Sequence, residues 1–506
     1  MMKRNKKANL FVLILSSIIL FIGILLFAAA EWYLATFGDV GFDAVLFTLM
    51  EGVEEAESSL IIAFLIKTII PALIGTAVVI PILFASLKRK VVLRVGEKRK
   101  FTLYPLRKGI AALCSVVLSV ALMISAADRV ELLSYIRYLS EQSTIFEEIY
   151  VDPSEATITF PEQKQNLIWI YLESMEATFF SKAQGGYMEE SLIPELYTLA
   201  AENTNFSPNS GVGGYYALSG ATWTIGGLVS STAGIPLKVP PGIQKNRYGR
   251  DTDDFLPGVT SMTSILHENG YYQALMVGSD SAFGGRKAYF TQHGLDRIYD
   301  LYTAREDGIA PEGYKVWWGI EDWRLFEYAK QALTEIAQQE QPFAFSMLTV
   351  DTHNTDGYLC ELCGNDFDEQ YENVLACSSK QVSAFIDWIQ QQDFYENTTI
   401  VIMGDHPTLD KAYVARRVPE GAVRTGYNCF INARAQTDNT RNRVFCTLDM
   451  FPSVLAAMGC DIEGDRLGLG TNLFSSTPTL CEEMGKDEFN EELAKRSEYY
   501  FKQFYF

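Results

Sequence analysis

Histidine is scarce in this chain: there are four in 506 residues, His267, His293, His353 and His406. Any site that uses imidazole must be assembled from this short set. Basic side chains are also short beyond residue 127, where 28 Lys and Arg face 54 Asp and Glu, a net −26. Phosphate backbones need a basic face, so this deficit excludes nucleic acid as a partner. No second CxxC accompanies Cys360-Glu-Leu-Cys363, so the complete zinc-knuckle pattern is missing. Of the eight cysteines, Cys114 lies in an apolar run and leaves an odd number elsewhere. With Cys377 close by in sequence, the expectation is a local disulfide in an oxidising compartment. Internal repeats and low-complexity tracts are absent as well.

Long apolar runs are present, all within the first 127 residues. The run 10–30 follows Lys3, Arg4, Lys6 and Lys7 and has no charge. A bilayer core needs about 20 such residues, and this stretch is too long for the apolar region of a cleaved leader. Residues 60–87, interrupted by Lys67, Pro71 and Pro81, and residues 109–127 make the second and third spans. Residues 31–58 carry seven acidic side chains and no Lys or Arg, whereas 88–108 carry nine Lys or Arg against Glu97 alone. The positive-inside rule then puts the N-terminus and the 88–108 loop in the cytoplasm and everything after Asp128 outside. The expectation is a multi-pass protein of a plasma membrane. A membrane domain (1–127) and a juxtamembrane connector (128–165) precede an exterior domain (166–506).

Beyond residue 165, short apolar runs alternate with helical patterns. The runs 167–172, 273–277, 343–350 and 400–403 read as strands, and 322–338 and 380–391 as helices. That alternation predicts an α/β domain with a mainly parallel sheet covered by helices on both faces. The tail 481–506 reads as a closing helix. Four strand ends bring polar groups to one edge: Glu173, the 278–280 turn with Ser279 and Asp280, His353, and the pair Asp405–His406. In such sheets ligands gather beyond the carboxyl ends of the strands. A carboxylate beside an imidazole suits a divalent metal, although a turn with a solvated Asp and a half-buried His is the plain alternative. Residues 209–237 run from small residues and hydroxyls into an apolar helix. Thr222 falls near its N-terminus, where free N–H groups favour negative charge. A helix cap at Thr222 or Thr224 is the structural alternative.

Five segments carry a family resemblance: NLIWIYLESMEATFF, SGATWTIGGLVSSTAGIPL, FGGRKAYFTQHGLDRIYD, FSMLTVDTHNTDG and VIMGDHPT. In their order and spacing over roughly residues 160–460 they resemble the membrane-anchored, alkaline-phosphatase/sulfatase-like transferases of bacterial envelopes. They are most similar to the phosphoglycerol transferases, the lipoteichoic acid synthase and glucan phosphoglycerol transferase group. The resemblance implies Glu173, Thr222, Asp405 and His406 as metal ligands, with Thr222 also the nucleophile. It further implies His353 as a substrate histidine and Arg286 as a contact to the headgroup. Register against the glucan enzymes places Ala221 at the threonine position; register against phosphoethanolamine transferases places Thr222 there. A working enzyme needs a hydroxyl, so Thr222 is chosen and Thr224 kept in reserve. The oxygen-rich ligand set and the resemblance favour Mn²⁺, with Mg²⁺ or Zn²⁺ as alternatives.

The activity implied is transfer of phosphoglycerol from phosphatidylglycerol, through a phosphoglycerol–threonine intermediate. The acceptor would be a glycolipid, a teichoic-acid-like polymer or a glycan. Three other readings remain. A sulfatase or phosphodiesterase would share the fold, but the CxPxR-like signature of sulfatases is missing. Phosphoethanolamine transferases often have more disulfides and additional zinc histidines than this chain offers. The Ala221/Thr222 register also leaves room for an inactive envelope-binding homologue.

Overall fold

A computed structural model describes residues 2–37, 64–85, 91–95, 99–103, 108–130, 132, 141–240, 248–250 and 254–506. It divides into two compact units, one N-terminal and one running from Gln142 to the C-terminus apart from the short stretch 241–244.

The N-terminal unit contains α1 (Met2–Phe37), a π-helical turn (Leu65–Ile69) continuing into α2 (Ile70–Ala85), and α3 (Lys108–Arg129). Phe11–Ala35, Leu65–Ile82 and Ala112–Arg129 are each long and apolar enough to cross a membrane. These agree with the expected spans; residues 60–63 and 86–87 of the second lie outside the described residues. Helices α1 and α3 approach closely because Gly23 has no side chain: a Cβ there would stand 2.8 Å from Ser119 Cα. Ser119 Oγ donates to the Ile19 carbonyl at 2.9 Å across the same contact. Small residues and a hydroxyl are the usual means of joining helices in lipid. The basic 88–108 segment, expected only as a loop, contains an antiparallel hairpin, β1 (Val91–Val95) with β2 (Arg99–Leu103).

The second unit begins earlier than residue 166. Ile145 and Phe146 are buried in its core, and β3 (Ile158–Thr159) pairs with β11 (Asp461–Ile462). Most of the expected connector is therefore part of this second unit. The central sheet has the order β5-β10-β9-β4-β8-β6-β7. Its strands are β4 (Asn166–Leu172), β5 (Gly214–Tyr215), β6 (Tyr272–Val277), β7 (Arg297–Tyr299), β8 (Phe343–Leu348), β9 (Thr398–Gly404) and β10 (Gly426–Ile431). The five strands β9-β4-β8-β6-β7 are parallel, and β10 and β5 close one margin antiparallel.

Every residue of β4 and β9 is buried, which explains their unbroken apolar sequences. Alternate side chains nevertheless serve different cores. Leu167, Trp169, Tyr171, Val401 and Met403 join one cluster, and Ile168, Ile170, Leu172, Ile400 and Ile402 the other. The register pairs Leu172 with Gly404, Tyr171 with Leu348 and Val277 with Leu348. Four strands therefore end nearly level, and the residues that follow them meet at one edge.

Two further expectations are corrected. The tail forms three short helices, Leu480–Met484, Lys486–Ala494 and Glu498–Phe504, because Gly485 (φ 88°) breaks the first from the second and the Ser497 hydroxyl caps the third. Tyr500 and Phe504 of the last helix pack against Phe146, with ring centroids 5.2 and 5.9 Å away. The local disulfide is not formed: Cys360 Sγ stands 3.6 Å from Cys363 Sγ and 3.7 Å from Cys377 Sγ.

Candidate active site

The chain leaves β4 at Leu172 and turns sharply through Ser174, whose φ of 54° is left-handed. Glu173 is carried into the crevice beyond the sheet edge, with its N–H donating to Thr349 Oγ1 at 2.9 Å. The adjacent strand β9 delivers Asp405 and His406 at the same level, and Asp405 N–H donates to the Leu172 carbonyl. Gly404 is the last residue of β9. A Cβ there would lie 2.0 Å from the Met175 carbonyl oxygen, so the close approach of the two loops requires glycine.

Ligand atoms of Glu173, Asp405 and His406 all lie within 4.8 Å of one another, and all three residues are buried. Asp405 Oδ1 accepts from the N–H groups of Ser174 and His406, both at 2.8 Å. Asp405 Oδ2 is buried without a hydrogen-bond partner. His406 Nδ1 donates to the Pro407 carbonyl at 2.8 Å, which leaves the lone pair of Nε2 facing the cluster. Nε2 stands 3.4 Å from Asp405 Oδ2 and 3.5 Å from Glu173 Oε1. Burial opposes a charge on Glu173, yet His353, His406 and the Ser174 hydroxyl hold its carboxyl below the usual range. Burial, and then the charge of Glu173, push Asp405 up to about 7. Burial also disfavours a charged His406, but Asp405 and Glu173 outweigh it and raise its pKa. Two buried carboxylates, one with an orphaned oxygen, and an imidazole lone pair suit a divalent cation.

The threonine hydroxyl that reaches this cluster is that of Thr224, two residues beyond the one chosen from the sequence. Trp223 has extended backbone (φ −148°, ψ 162°) and caps a helix, α4, that begins at Thr224 and runs to Ala233. Thr222 is left exposed in the preceding turn, whereas Thr224 Oγ1 donates to His406 Nε2 at 3.3 Å. The helix reaches this position through Gly227, where a Cβ would stand 2.1 Å from the Asp405 carbonyl oxygen.

Arg286 is buried at the start of a helix, α5 (Arg286–Gln292). Its Nη2 donates to Ser279 Oγ at 2.9 Å and to the Asp280 carbonyl at 2.7 Å. Ser279 and Asp280 thus hold the arginine. The Asp280 carboxylate is occupied with the Ala282 N–H at 2.9 Å. Burial lowers the Arg286 pKa to about 10 against the opposing charges of Glu173, Asp280 and Asp405. His353 is half-buried; its Nδ1 donates to the Asn354 carbonyl at 2.7 Å and its ring lies 4.7 Å from that of Trp318. Trp318 was not anticipated from the sequence.

Also missed was a brace behind the site. Glu176, fully buried, accepts from Thr408 N–H at 2.9 Å, from Thr178 Oγ1 at 2.7 Å and from Arg424 Nε at 2.8 Å. This ties the loop after β4 to the loop after β9. Only the glutamate in ESME hinted at it, since Arg424 lies far along the chain. Arg424→Ala would leave a buried carboxylate without its cation and is expected to destabilise the domain by about 3 kcal/mol or more. Thermal or urea unfolding of the full-length protein measures this; an unchanged transition would show that the pair is dispensable.

Residues 165–460, more than half of the chain, match the Sulfatase family, and the chain belongs to it. Among its relatives is a phosphoglycerol transferase I from Xanthomonas campestris pv. campestris, 31% identical over 254 residues, covering 48% of this chain and 34% of the relative. Another is phosphoglycerol transferase I from Escherichia coli (strain 55989), 31% identical over 267 residues, covering 52% of this chain and 33% of the relative. The match therefore spans about a third of the length of these proteins. Among solved structures, lipoteichoic acid synthase LtaP from Listeria monocytogenes is similar, with a TM-score of 0.49 and 18% identity, covering 65% of this chain and 80% of that one.

Proposed function

We propose that this chain transfers phosphoglycerol from phosphatidylglycerol to a hydroxyl of an envelope glycolipid, teichoic-acid-like polymer or glycan, outside a bacterial plasma membrane. The observation that carries this reading is the Thr224 hydroxyl at a helix N-terminus, 3.3 Å from His406 Nε2 beside two buried carboxylates. Relatives named phosphoglycerol transferase I support the choice of the transferred group.

Glu173, Thr224, Asp405 and His406 would hold a divalent cation, and their three oxygen donors to one nitrogen favour Mn²⁺. When bound, the cation supplies positive charge against the phosphate and lowers the pKa of a coordinated hydroxyl. Thr224 Oγ1 attacks phosphorus, forming the Oγ1–P bond as the bond from phosphorus to the diacylglycerol oxygen breaks. The proton that Thr224 gives up is taken by the leaving oxygen, with His353 carrying it between them. Arg286, whose guanidinium is buried and held by Ser279, offsets charge on the phosphate oxygens. In the second half the acceptor hydroxyl gives up its proton, its oxygen attacks phosphorus, and Thr224 leaves with its hydroxyl restored. The apolar N-terminal helices keep the domain beside a donor that stays in the bilayer. The inactive-homologue reading loses its motive, because it rested on alanine at 221 and Thr224 supplies a hydroxyl.

The test is peptide mass spectrometry of the full-length protein after exposure to phosphatidylglycerol vesicles and Mn²⁺. A phosphoglycerol adduct on Thr224 is expected. An adduct on Thr222, or an unmodified peptide under conditions of turnover, would overturn the assignment.

A further inference from the structure

Away from the acid–imidazole cluster, three thiols converge. Cys360 and Cys363 lie on the loop that follows His353, and Cys377 lies on the helix Gln370–Gln390 that packs beneath it. The ligand atoms of all three lie within 4.8 Å of one another. The two separations from Cys360, 3.6 and 3.7 Å, are too long for a covalent pair. They are close to the spacing of about 3.8 Å that tetrahedral geometry gives thiolates sharing a zinc ion at about 2.3 Å. A disulfide would use two of these sulfurs and strand the third.

A second observation points to the same centre. Gln381, one turn beyond Cys377 on the same helix, places Nε2 3.1 Å from Cys377 Sγ and 3.8 Å from Cys360 Sγ. Its Oε1 is buried and has no hydrogen-bond partner. Carbonyl and amino ends of a glutamine have the same shape, and turning the amide over directs that orphaned oxygen at the sulfurs. Hydrogen bonds hold both ends of the loop, Tyr358 N–H to the Asp351 carbonyl and Phe367 N–H to Asn373 Oδ1, but its middle has little apolar anchoring. Leu359 and Leu362 are 42% and 59% exposed, so the apolar side chains flanking the two cysteines point outward and contribute little burial. Thiolate–metal bonds would supply the anchoring that apolar contacts do not.

We propose that Cys360, Cys363 and Cys377 form a structural Zn²⁺ site, with the Gln381 amide oxygen over its fourth side. The ion replaces three thiol protons, which are released to solvent, and no oxidation is involved. It joins the loop beginning at His353 to the helix below it. The site stands apart from the acid–imidazole cluster and does not depend on the transferase reading.

Full-length protein purified in detergent without chelator is the sample. Iodoacetamide is applied under denaturant-free conditions, with and without a zinc chelator and in the absence of reductant. The expected result is that Cys360, Cys363 and Cys377 are protected until the chelator is added, and that all three then alkylate. Zinc content should fall by one equivalent per chain in Cys377→Ser, and the chelator-dependent protection of the three cysteines should persist in Asp405→Asn, which separates this ion from any at the other cluster. If Cys377→Ser fails to fold, the alkylation of the unaltered protein decides alone. A disulfide between any two of the three, alkylation indifferent to the chelator, or a zinc content unchanged by Cys377→Ser would overturn the proposal.

Discussion

Thr224→Ala is expected to lower transfer from labelled phosphatidylglycerol by on the order of 10⁴-fold, as loss of an activated nucleophile does in covalent catalysts. Thr222→Ala, at an exposed turn position, should change the rate by about twofold at most. The contrast matters because the two hydroxyls are separated by a single residue. Thr224 Oγ1 reaches His406 Nε2 at 3.3 Å, while Thr222 makes no hydrogen bond to the cluster. Thr224→Ser keeps a hydroxyl on the first residue of the helix and should recover part of the activity. A large loss with Thr222→Ala and none with Thr224→Ala would reverse the roles, and equal small losses would remove a threonine nucleophile altogether.

Asp405→Asn should act in opposite directions on the metal-free and metal-loaded protein. Without a cation, Glu173 and Asp405 are two buried acids side by side, and burial with the charge of Glu173 already pushes Asp405 up to about 7. The asparagine oxygen can keep the two backbone N–H groups that Asp405 Oδ1 accepts, from Ser174 and His406. Its amino group would replace the orphaned Oδ2 and donate toward Glu173 or His406 Nε2. Removing one of two adjacent buried acids that share a single imidazole is therefore expected to stabilise the metal-free domain by about 1–3 kcal/mol. The same change removes an anionic ligand and should weaken Mn²⁺ binding by about 100-fold or more. Thermal unfolding with chelator and with Mn²⁺ reads both effects. A lower metal-free Tm, or an undiminished shift on adding Mn²⁺, would contradict this account of the cluster.

The parts of this architecture that were legible in the sequence are those set by local pattern. The strand cores of β4, β6, β8 and β9 are short apolar runs ended by polar residues, and all four were placed within two residues of their observed bounds. Their level ends brought Glu173 and Asp405–His406 to one edge, as the alternation of strands and helices implied. What failed depended on contacts distant in sequence. The hydroxyl that meets His406 is the reserve Thr224 and not the chosen Thr222, because the helix start is set by the extended backbone of Trp223, which residue types alone do not reveal. The antiparallel strand β10 lies between β9 and the edge strand β5, pairings that no local pattern in its own sequence announces. Ile145 and Phe146 were read as part of a connector because their partners, Tyr500 and Phe504, lie at the other end of the chain. The three cysteines read in the sequence as a local disulfide, because spacing cannot show that three sulfurs meet.

Gly227 has a consequence beyond packing. At that residue the helix bearing Thr224 rests directly on the main chain of Asp405, with no side chain between them. The separation of these two main chains is therefore inherited from the path of two backbones, much as the bore of a machined joint is inherited from its castings. Rotamer changes cannot retune it. Diversity in what such an enzyme accepts has to arise in the loops around that joint, while the joint itself stays fixed.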